Sequence, residues 1–315
     1  MSTSIGLVGC GRWGKHILRD LKSLGCDVSV VAKSPASIAN ATENNADKIV
    51  RDLVDLNSSI DGYVVATPTA THLDVVRSLA GRHKPIFVEK PLTDDVEGAR
   101  SLARHAADQI FVMHKWRYHP GIQAMRDIQA SGEFGPARGL RSVRRQWLSP
   151  HSDVDAIWIL LPHDLSIVTH IFGSVPKPVH AHADPTGPLG CGLTADLICG
   201  DANIPIAIDV SASSPTMNRE VSLGCQDAVI SLCNKDYNTL EIRHLPQSAG
   251  ADAPVEFRSL SDAMPLLAEL EAFVSYLNGG PPPLTKFDTE LQIIEVLSEL
   301  RRMAGIHPKT VGTLS

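Results

Sequence analysis

The tightest constraint on this chain is the stretch SIGLVGCGRWGKHILRDL, residues 4–21. Ile5 to Val8 is a short apolar run that passes directly into Gly9-Cys10-Gly11-Arg12-Trp13-Gly14. Ile17, Leu18, Leu21 and Leu24 then fall on one helical face before Gly25, and Val28 to Ala32 is a second apolar run. Strand, glycine turn, helix and strand in this order leave few folds open, because the three glycines have separate duties. Gly9 makes the tight turn, Gly11 lets the backbone approach a pyrophosphate, and Gly14 lets helix and strand pack closely. The helix start adds amide donors and a favourable dipole for phosphates. The reading is a dinucleotide-binding unit, with Gly9, Gly11, Arg12, Trp13 and Gly14 against the cofactor.

The end of the second strand selects the cofactor. A carboxylate there binds the ribose 2′-hydroxyl of NAD. The sequence reads VVAKSP instead, with Lys33 and Ser34 at that position. A cation and a hydroxyl suit a 2′-phosphate, and Arg12 can join them or stack on the adenine. The expectation is NADP in preference to NAD.

The alternation continues. Tyr63 to Ala66 reads as a buried strand, followed by Thr67-Pro68-Thr69-Ala70-Thr71-His72. Thr71 with Asp74 three residues on suggests a capped helix start. Ile86 to Val88 is a strand ending in Glu89-Lys90-Pro91, a helix follows over Val96 to Ala107, and Ile110 to Met113 is a further strand. This pattern implies an α/β fold with a doubly wound parallel sheet and ligands at the carboxyl ends of its strands. Thr67, Pro68, Glu89, Lys90 and His114 lie at such ends, and His72 lies close behind; Thr67, Pro68, His72, Glu89 and Lys90 complete the expected cofactor set.

Beyond Gly139 the pattern changes to short alternating runs, such as Ala207 to Ser211, Ala228 to Leu232 and Leu240 to Arg243, separated by turn-rich segments. That is an open, mostly antiparallel sheet in a second α/β domain. The expected division is residues 1–118 for dinucleotide binding and 119–315 for substrate and oligomerisation.

Several function classes are excluded by composition. A net charge of −6 argues against nucleic acid as a partner. The basic patch Arg138 to Arg145, within ARGLRSVRR, reads as a solvated strand face. No apolar run is long enough to span a bilayer, and the N-terminus has no basic segment with a cleavage site, so the expectation is a cytoplasmic protein without a membrane partner. The six cysteines show neither C-x-x-C nor a zinc spacing; buried free thiols and no metal site are expected.

GCGRWG, ATPTATH and VEKPL at these spacings resemble the Gfo/Idh/MocA oxidoreductases. MHKWRYHPGI, GEFGPARGLRSVR and the closing SDAMPLLAELEAFVSYLNGGPPPLTKFDTELQIIEVL extend the likeness over nearly the whole chain. The resemblance implies a Rossmann domain followed by a sheet domain, with the substrate held between them. It also implies a homodimer or homotetramer, and Lys90 reaching the substrate beside the nicotinamide.

The same resemblance bears on WILLPHDLSI, Trp158 to Ile167, where histidine and aspartate interrupt an apolar run. Family members carry an aspartate here, with a histidine one helical turn later. The histidine maps to His163, and Pro162-His163-Asp164 is similar to relatives acting on nucleotide-linked sugars. The aspartate position holds Ile159 and the glycine position Leu161. His163 is therefore the expected general base, Asp164 a structural group and Trp158 core.

His119, Lys115, Arg117 and Tyr118 are lesser candidates, and His180, His182 and His244 read as surface or structural. The leading expectation is hydride transfer between nicotinamide and a hydroxyl or ketone carbon of a sugar or nucleotide-linked sugar, with Lys90 and His163 at the reacting oxygen. A reductase of a non-sugar C=O, C=N or C=C bond and a non-catalytic NADP-binding regulator stay open as alternatives.

Overall fold

The protein is described from a computed structural model covering residues 2–148, 154–233, 238–246, 248 and 252–306. Its backbone contacts divide it into one unit of Met1–Gln123 with Ser261–Ile294, and another of Ala124–Leu260 with Glu295–Ser315.

In the first unit the alternation read from the sequence becomes β1 (Ser4–Val8), α1 (Gly14–Ser23), β2 (Asp27–Val31), α2 (Pro35–Glu43), β3 (Lys48–Val50), β4 (Gly62–Val65), α3 (Thr69–Ala80), β5 (Ile86–Glu89), α4 (Val96–Ala106) and β6 (Ile110–Met113). The strands pair in parallel in the order β3-β2-β1-β4-β5-β6. The order reverses between β1 and β4, and ligands bind at the carboxyl side of such a reversal. β3 is an addition to the sequence reading; with only Lys48, Ile49 and Val50 it is too short to show a period.

The start of α3 also differs. Pro68 is its N-cap and the helix begins at Thr69, so Thr71 lies inside the first turn. The Thr71 hydroxyl donates backward to the Pro68 carbonyl at 2.7 Å and to Thr67 Oγ1 at 2.9 Å instead of capping. Pro68, with φ −58°, stands just outside the helix as its N-cap, which places the boundary three residues earlier than Thr71 suggested.

A 3-10 turn, Lys115–Tyr118, and α5 (Pro120–Ser131) lead to the second unit. Its elements are β7 (Ala137–Trp147), α6 (Ala156–Phe172), β8 (Lys177–Ala183), β9 (Gly192–Cys199), β10 (Ile204–Ser211), β11 (Ser213–Cys225), β12 (Ala228–Cys233), β13 (Thr239–His244) and β14 (Val255–Ser259). The eight strands run β14-β13-β12-β11-β7-β10-β9-β8. Every pair is antiparallel except β7 with β10. Alternation along the strands sends Leu140, Ile206, Ile208, Val210, Leu193, Ala195 and Leu223 to one buried face. α6 packs on strands β7, β9 and β10.

The chain then supplies α7 (Pro265–Leu277) and α8 (Phe287–Met303). Leu266, Leu270 and Phe273 of α7 enter the core of the first unit beside Ile5, Leu7, Ile17, Leu21 and Val64, and Phe273 stacks on Phe87 at 4.9 Å. All six cysteines are free thiols, four of them buried. Among the described residues no helix is long and apolar enough to cross a membrane, and no group of three or more His, Cys, Asp or Glu is arranged to hold a metal ion.

Candidate functional site

The glycine turn has the geometry its spacing suggests. Gly9 has φ +93°, and a side chain there would meet the Ala66 carbonyl oxygen at 2.7 Å. A Cβ on Gly14 would stand 2.3 Å from the Gly9 carbonyl oxygen, so α1 can approach β1 only with glycine at that place. Gly11 is exposed and nothing lies within 4 Å of its would-be Cβ. The turn is thus closed on its protein side and open at Gly11, at the start of α1, where the Lys15 and His16 amides donate to the Gly11 and Trp13 carbonyls. An anionic group such as a pyrophosphate fits that opening. Asn40 of α2, which the sequence reading did not single out, donates to the Cys10 carbonyl at 2.9 Å and braces the loop from outside.

At the end of β2, Lys33 and Ser34 are both exposed. Lys33 pairs with Asp52 at 2.8 Å, and Arg51 donates to the Lys33 carbonyl. Ser34 caps α2 by accepting from the Ser37 amide at 3.1 Å. Two hydroxyls, a helix start and an ammonium therefore share this corner, with one carboxylate already drawn to the ammonium. Arg12 is exposed on the glycine turn.

Thr67 is half-buried and Pro68 exposed, while His72 is 1% exposed. The His72 ring nitrogens lie 2.9 Å from the Pro91 carbonyl and 2.8 Å from the Thr67 carbonyl. His72 is therefore a strut joining the turn after β4 to the turn after β5.

Glu89 and Lys90 end β5. The Glu89 carboxylate accepts from the Lys90 amide at 3.0 Å. Burial pushes the Glu89 carboxyl up, against the pull of Lys90, Lys115 and the Trp13 indole. The Lys115 ammonium sits over the Trp13 ring, 4.5 Å from its centre, tying the 3-10 turn after β6 to the glycine turn. Glu269 of α7 is 1% exposed, and its carboxyl is held well above the usual range by burial and by neighbouring Glu89, with Lys115 opposing. Local sequence gave no sign of Glu269, because it arrives from a helix more than a hundred residues away.

Lys115, Trp116 and His119 also pack locally, with the Trp116 and His119 rings stacked at 5.1 Å. Arg117 is buried, and its Nη1 donates to the Leu284 carbonyl at 3.1 Å. The Tyr118 hydroxyl accepts from the Leu284 amide at 3.0 Å.

In the second unit, WILLPHDLSI is the middle of α6. Asp155 caps the helix by accepting from the Ile157 and Trp158 amides, Gly173 ends it at φ +75°, and Pro162 is accommodated inside. Asp164 is fully buried and takes Ser142 Oγ at 2.7 Å, Arg144 Nε at 2.8 Å and Arg144 Nη2 at 3.1 Å. Its role is structural, and Trp158 is core at 3% exposure.

The same pairing revises the basic run. Arg138 and Arg141 are solvated, but Arg144 faces inward at 4% exposure because Asp164 supplies its counter-charge. His163 is the one residue between Ala156 and Thr169 that is not buried. Ile159, one turn before it on the same helical face, is 2% exposed.

His180 and His182 are exposed, with rings 4.0 Å apart, and His244 packs edge-on against Phe134.

A parallel sheet in the order described, with an open glycine turn and a lysine on its carboxyl edge, defines a doubly wound, Rossmann-type dinucleotide-binding architecture. Residues 3–114 match the model of the oxidoreductase family with an NAD-binding Rossmann fold, GFO_IDH_MocA. The match is confined to the dinucleotide-binding part of the chain.

It is 30% identical over 182 residues to a UDP-N-acetylglucosamine 3-dehydrogenase of Acidithiobacillus ferrooxidans, covering 56% of each chain. It is 28% identical over 195 residues to an inositol 2-dehydrogenase of Rhizobium meliloti, covering 58% of this chain and 59% of that one. The matched stretch thus spans a little over half the length of these relatives. The solved structure of the Acidithiobacillus enzyme has the same fold, with a TM-score of 0.84 at 22% identity over 97% of this chain and 99% of that one.

Proposed function

We propose that the protein transfers a hydride between a nicotinamide dinucleotide and a hydroxyl or ketone carbon of a sugar or nucleotide-linked sugar. The observation that carries this reading is the placement of the open Gly11 turn after β1 and Lys90 after β5 on one carboxyl edge of a single parallel sheet, either side of β4. The relatives named above act on a nucleotide sugar and a cyclitol, which supports a polyhydroxylated substrate. Gly9, Gly11, Arg12, Trp13 and Gly14 hold the pyrophosphate side, with Thr67, Pro68 and Glu89 bordering the dinucleotide. His72 holds the two bordering turns together.

The bound nicotinamide supplies the hydride acceptor or donor. The chain's residues manage the oxygen. Lys90 donates a hydrogen bond to it and stabilises the negative charge that grows there. His163 takes the hydroxyl proton during oxidation and returns it during reduction.

NADP is preferred to NAD in this reading, supported by Lys33, Ser34 and Arg12 and by the absence of a carboxylate from Val31 to Pro35. The active form is a homodimer or homotetramer in the cytoplasm, assembled through the sheet face of the second unit where Phe257 is 66% exposed. Ile159 in place of an aspartate supports a second reading, a reductase of a less hydroxylated C=O, C=N or C=C substrate.

The test is turnover of sugars, nucleotide sugars and cyclic imines with each coenzyme. Lys90→Ala and His163→Ala are expected to lose at least about a hundredfold in kcat while coenzyme affinity stays within about threefold. Wild-type turnover in His163→Ala rejects that residue as the base. Lys33→Asp is expected to shift the NADPH to NADH affinity ratio at least about tenfold toward NADH; an unchanged ratio rejects the cofactor assignment.

A further inference from the structure

Behind the loop that carries Lys90, the first unit buries a carboxylate and an imidazole that the proposed hydride transfer does not use. The side chains of Glu290 on α8 and His114 after β6 are both 0% exposed, and His114 Nε2 lies 2.7 Å from Glu290 Oε2. The other carboxylate oxygen, Oε1, accepts from the Leu92 amide at 3.4 Å, two residues past Lys90. β5 and β6 run parallel with Glu89 opposite Met113, so the next residue on each, Lys90 and His114, leave the sheet side by side. One carboxylate therefore reaches both the residue next to the lysine's strand end and the loop that follows it.

A buried ion-forming pair is an expensive way to hold a loop, since apolar residues of similar size do so without desolvating charge. Its charge needs another reason. Burial holds the His114 imidazole below its ordinary range, Arg117 and Lys90 act in the same direction, and Glu290 opposes them. A neutral imidazole places its hydrogen on Nε2 and donates to Glu290. Nδ1 then stays bare, and it is buried with no hydrogen-bond partner among the described residues. Arg117 lies next to Glu290, and the His114 imidazole that pairs with the carboxylate feels Lys90. Other ionisable groups at this corner of the unit include Glu89, Lys115, Tyr118 and Glu269.

We infer that Glu290 and His114 form a positioning pair for Lys90, fixing from behind, with a buried carboxylate, the loop that carries its ammonium. The inference rests on the reading of Lys90 as the group at the reacting oxygen, and it names residues that touch neither substrate nor coenzyme.

The experiment measures Lys90 itself, in the full-length protein. Amine labelling with acetic anhydride is followed by peptide mass spectrometry across a pH series, with Lys177 as a surface reference. In Glu290→Gln, which keeps the size but not the charge, the labelling midpoint of Lys90 is expected to fall by about one pH unit. That corresponds to about tenfold more labelling at a fixed pH below both midpoints, with Lys177 unmoved. An unshifted midpoint in folded Glu290→Gln overturns the inference.

His114→Gln is the second variant. It leaves the carboxylate in place and is expected to lower kcat at least tenfold with KM for the coenzyme within about threefold; unchanged kcat overturns the role of His114. Lys90→Ala separates the two readings. Full turnover in Lys90→Ala together with a shifted labelling midpoint removes the catalytic assignment and keeps the electrostatic coupling. Lost turnover with an unshifted midpoint does the reverse.

Discussion

Replacing Asp164 with alanine tests whether the charge inside α6 is structural. Asp164 and Arg144 are both buried and joined by two hydrogen bonds, and Ser142 donates a third to the same carboxylate. Asp164→Ala leaves the Arg144 guanidinium desolvated without its counter-charge. Breaking a buried pair in this one-sided way costs about 3–5 kcal/mol. The Ser142 hydroxyl also loses its acceptor, adding about 1 kcal/mol. A domain of this size loses about 2–4 °C of melting temperature per kcal/mol, so the variant is expected to melt at least about 8 °C lower.

The double variant Asp164→Leu with Arg144→Met removes both charges together and is expected to recover most of the loss, since an apolar pair of similar volume carries no desolvation cost. Differential scanning calorimetry of the wild type, both singles and the double gives the coupling directly. A single variant melting within about 2 °C of wild type, or a double variant worse than the two singles combined, refutes the argument.

Three further outcomes follow from the same structure. Gly14→Ala is expected to weaken coenzyme binding at least about tenfold and to destabilise the fold, reversing the usual gain of about 1 kcal/mol for alanine in a helix, because its Cβ would meet the Gly9 carbonyl; Gly11→Ala is expected to leave the melting temperature unchanged and weaken binding only, as fluorescence titration and calorimetry show together. Burial, aided by Lys115, holds the His119 imidazole down to about 4. The unfolded chain therefore binds the extra proton between about pH 6.5 and 4, so stability is full above that window and falls as pH drops through it. His119→Gln is expected to flatten this acid-side loss in urea titrations. Glu269 has the opposite sign: its raised carboxyl favours the folded state at low pH, and that contribution is lost as pH rises through its folded value. Glu269→Gln is expected to raise the melting temperature at pH 9 relative to pH 5, and an equal change at both rejects the protonated carboxyl.

What the sequence made legible was local. The turn at Gly9 to Gly14, the strands flanking it and Lys90 at the end of β5 need only neighbours within about 30 residues, and spacing encodes such neighbours. The N-cap assigned to Thr71 failed because two helix starts compete within three residues and the proline won. Arg144 read as solvated because a strand shows its polar residues without showing what faces them. His163 and Asp164 adjoin on one helix, yet burial splits their roles, and only the fold supplies burial. Glu269 and Glu290 were invisible for a simpler reason: each meets partners more than 150 residues earlier in the chain.

The joining of α7 to the first unit has a consequence for synthesis. Leu266, Leu270 and Phe273 fill the core that β1, β4 and β5 begin. As the polypeptide leaves the ribosome, its opening hundred or so residues wait, one flank uncovered, while the whole eight-stranded sheet is translated and can already pair. The part made first is therefore finished last, and a nascent chain cut short before α7 offers a greasy flank to chaperones and proteases.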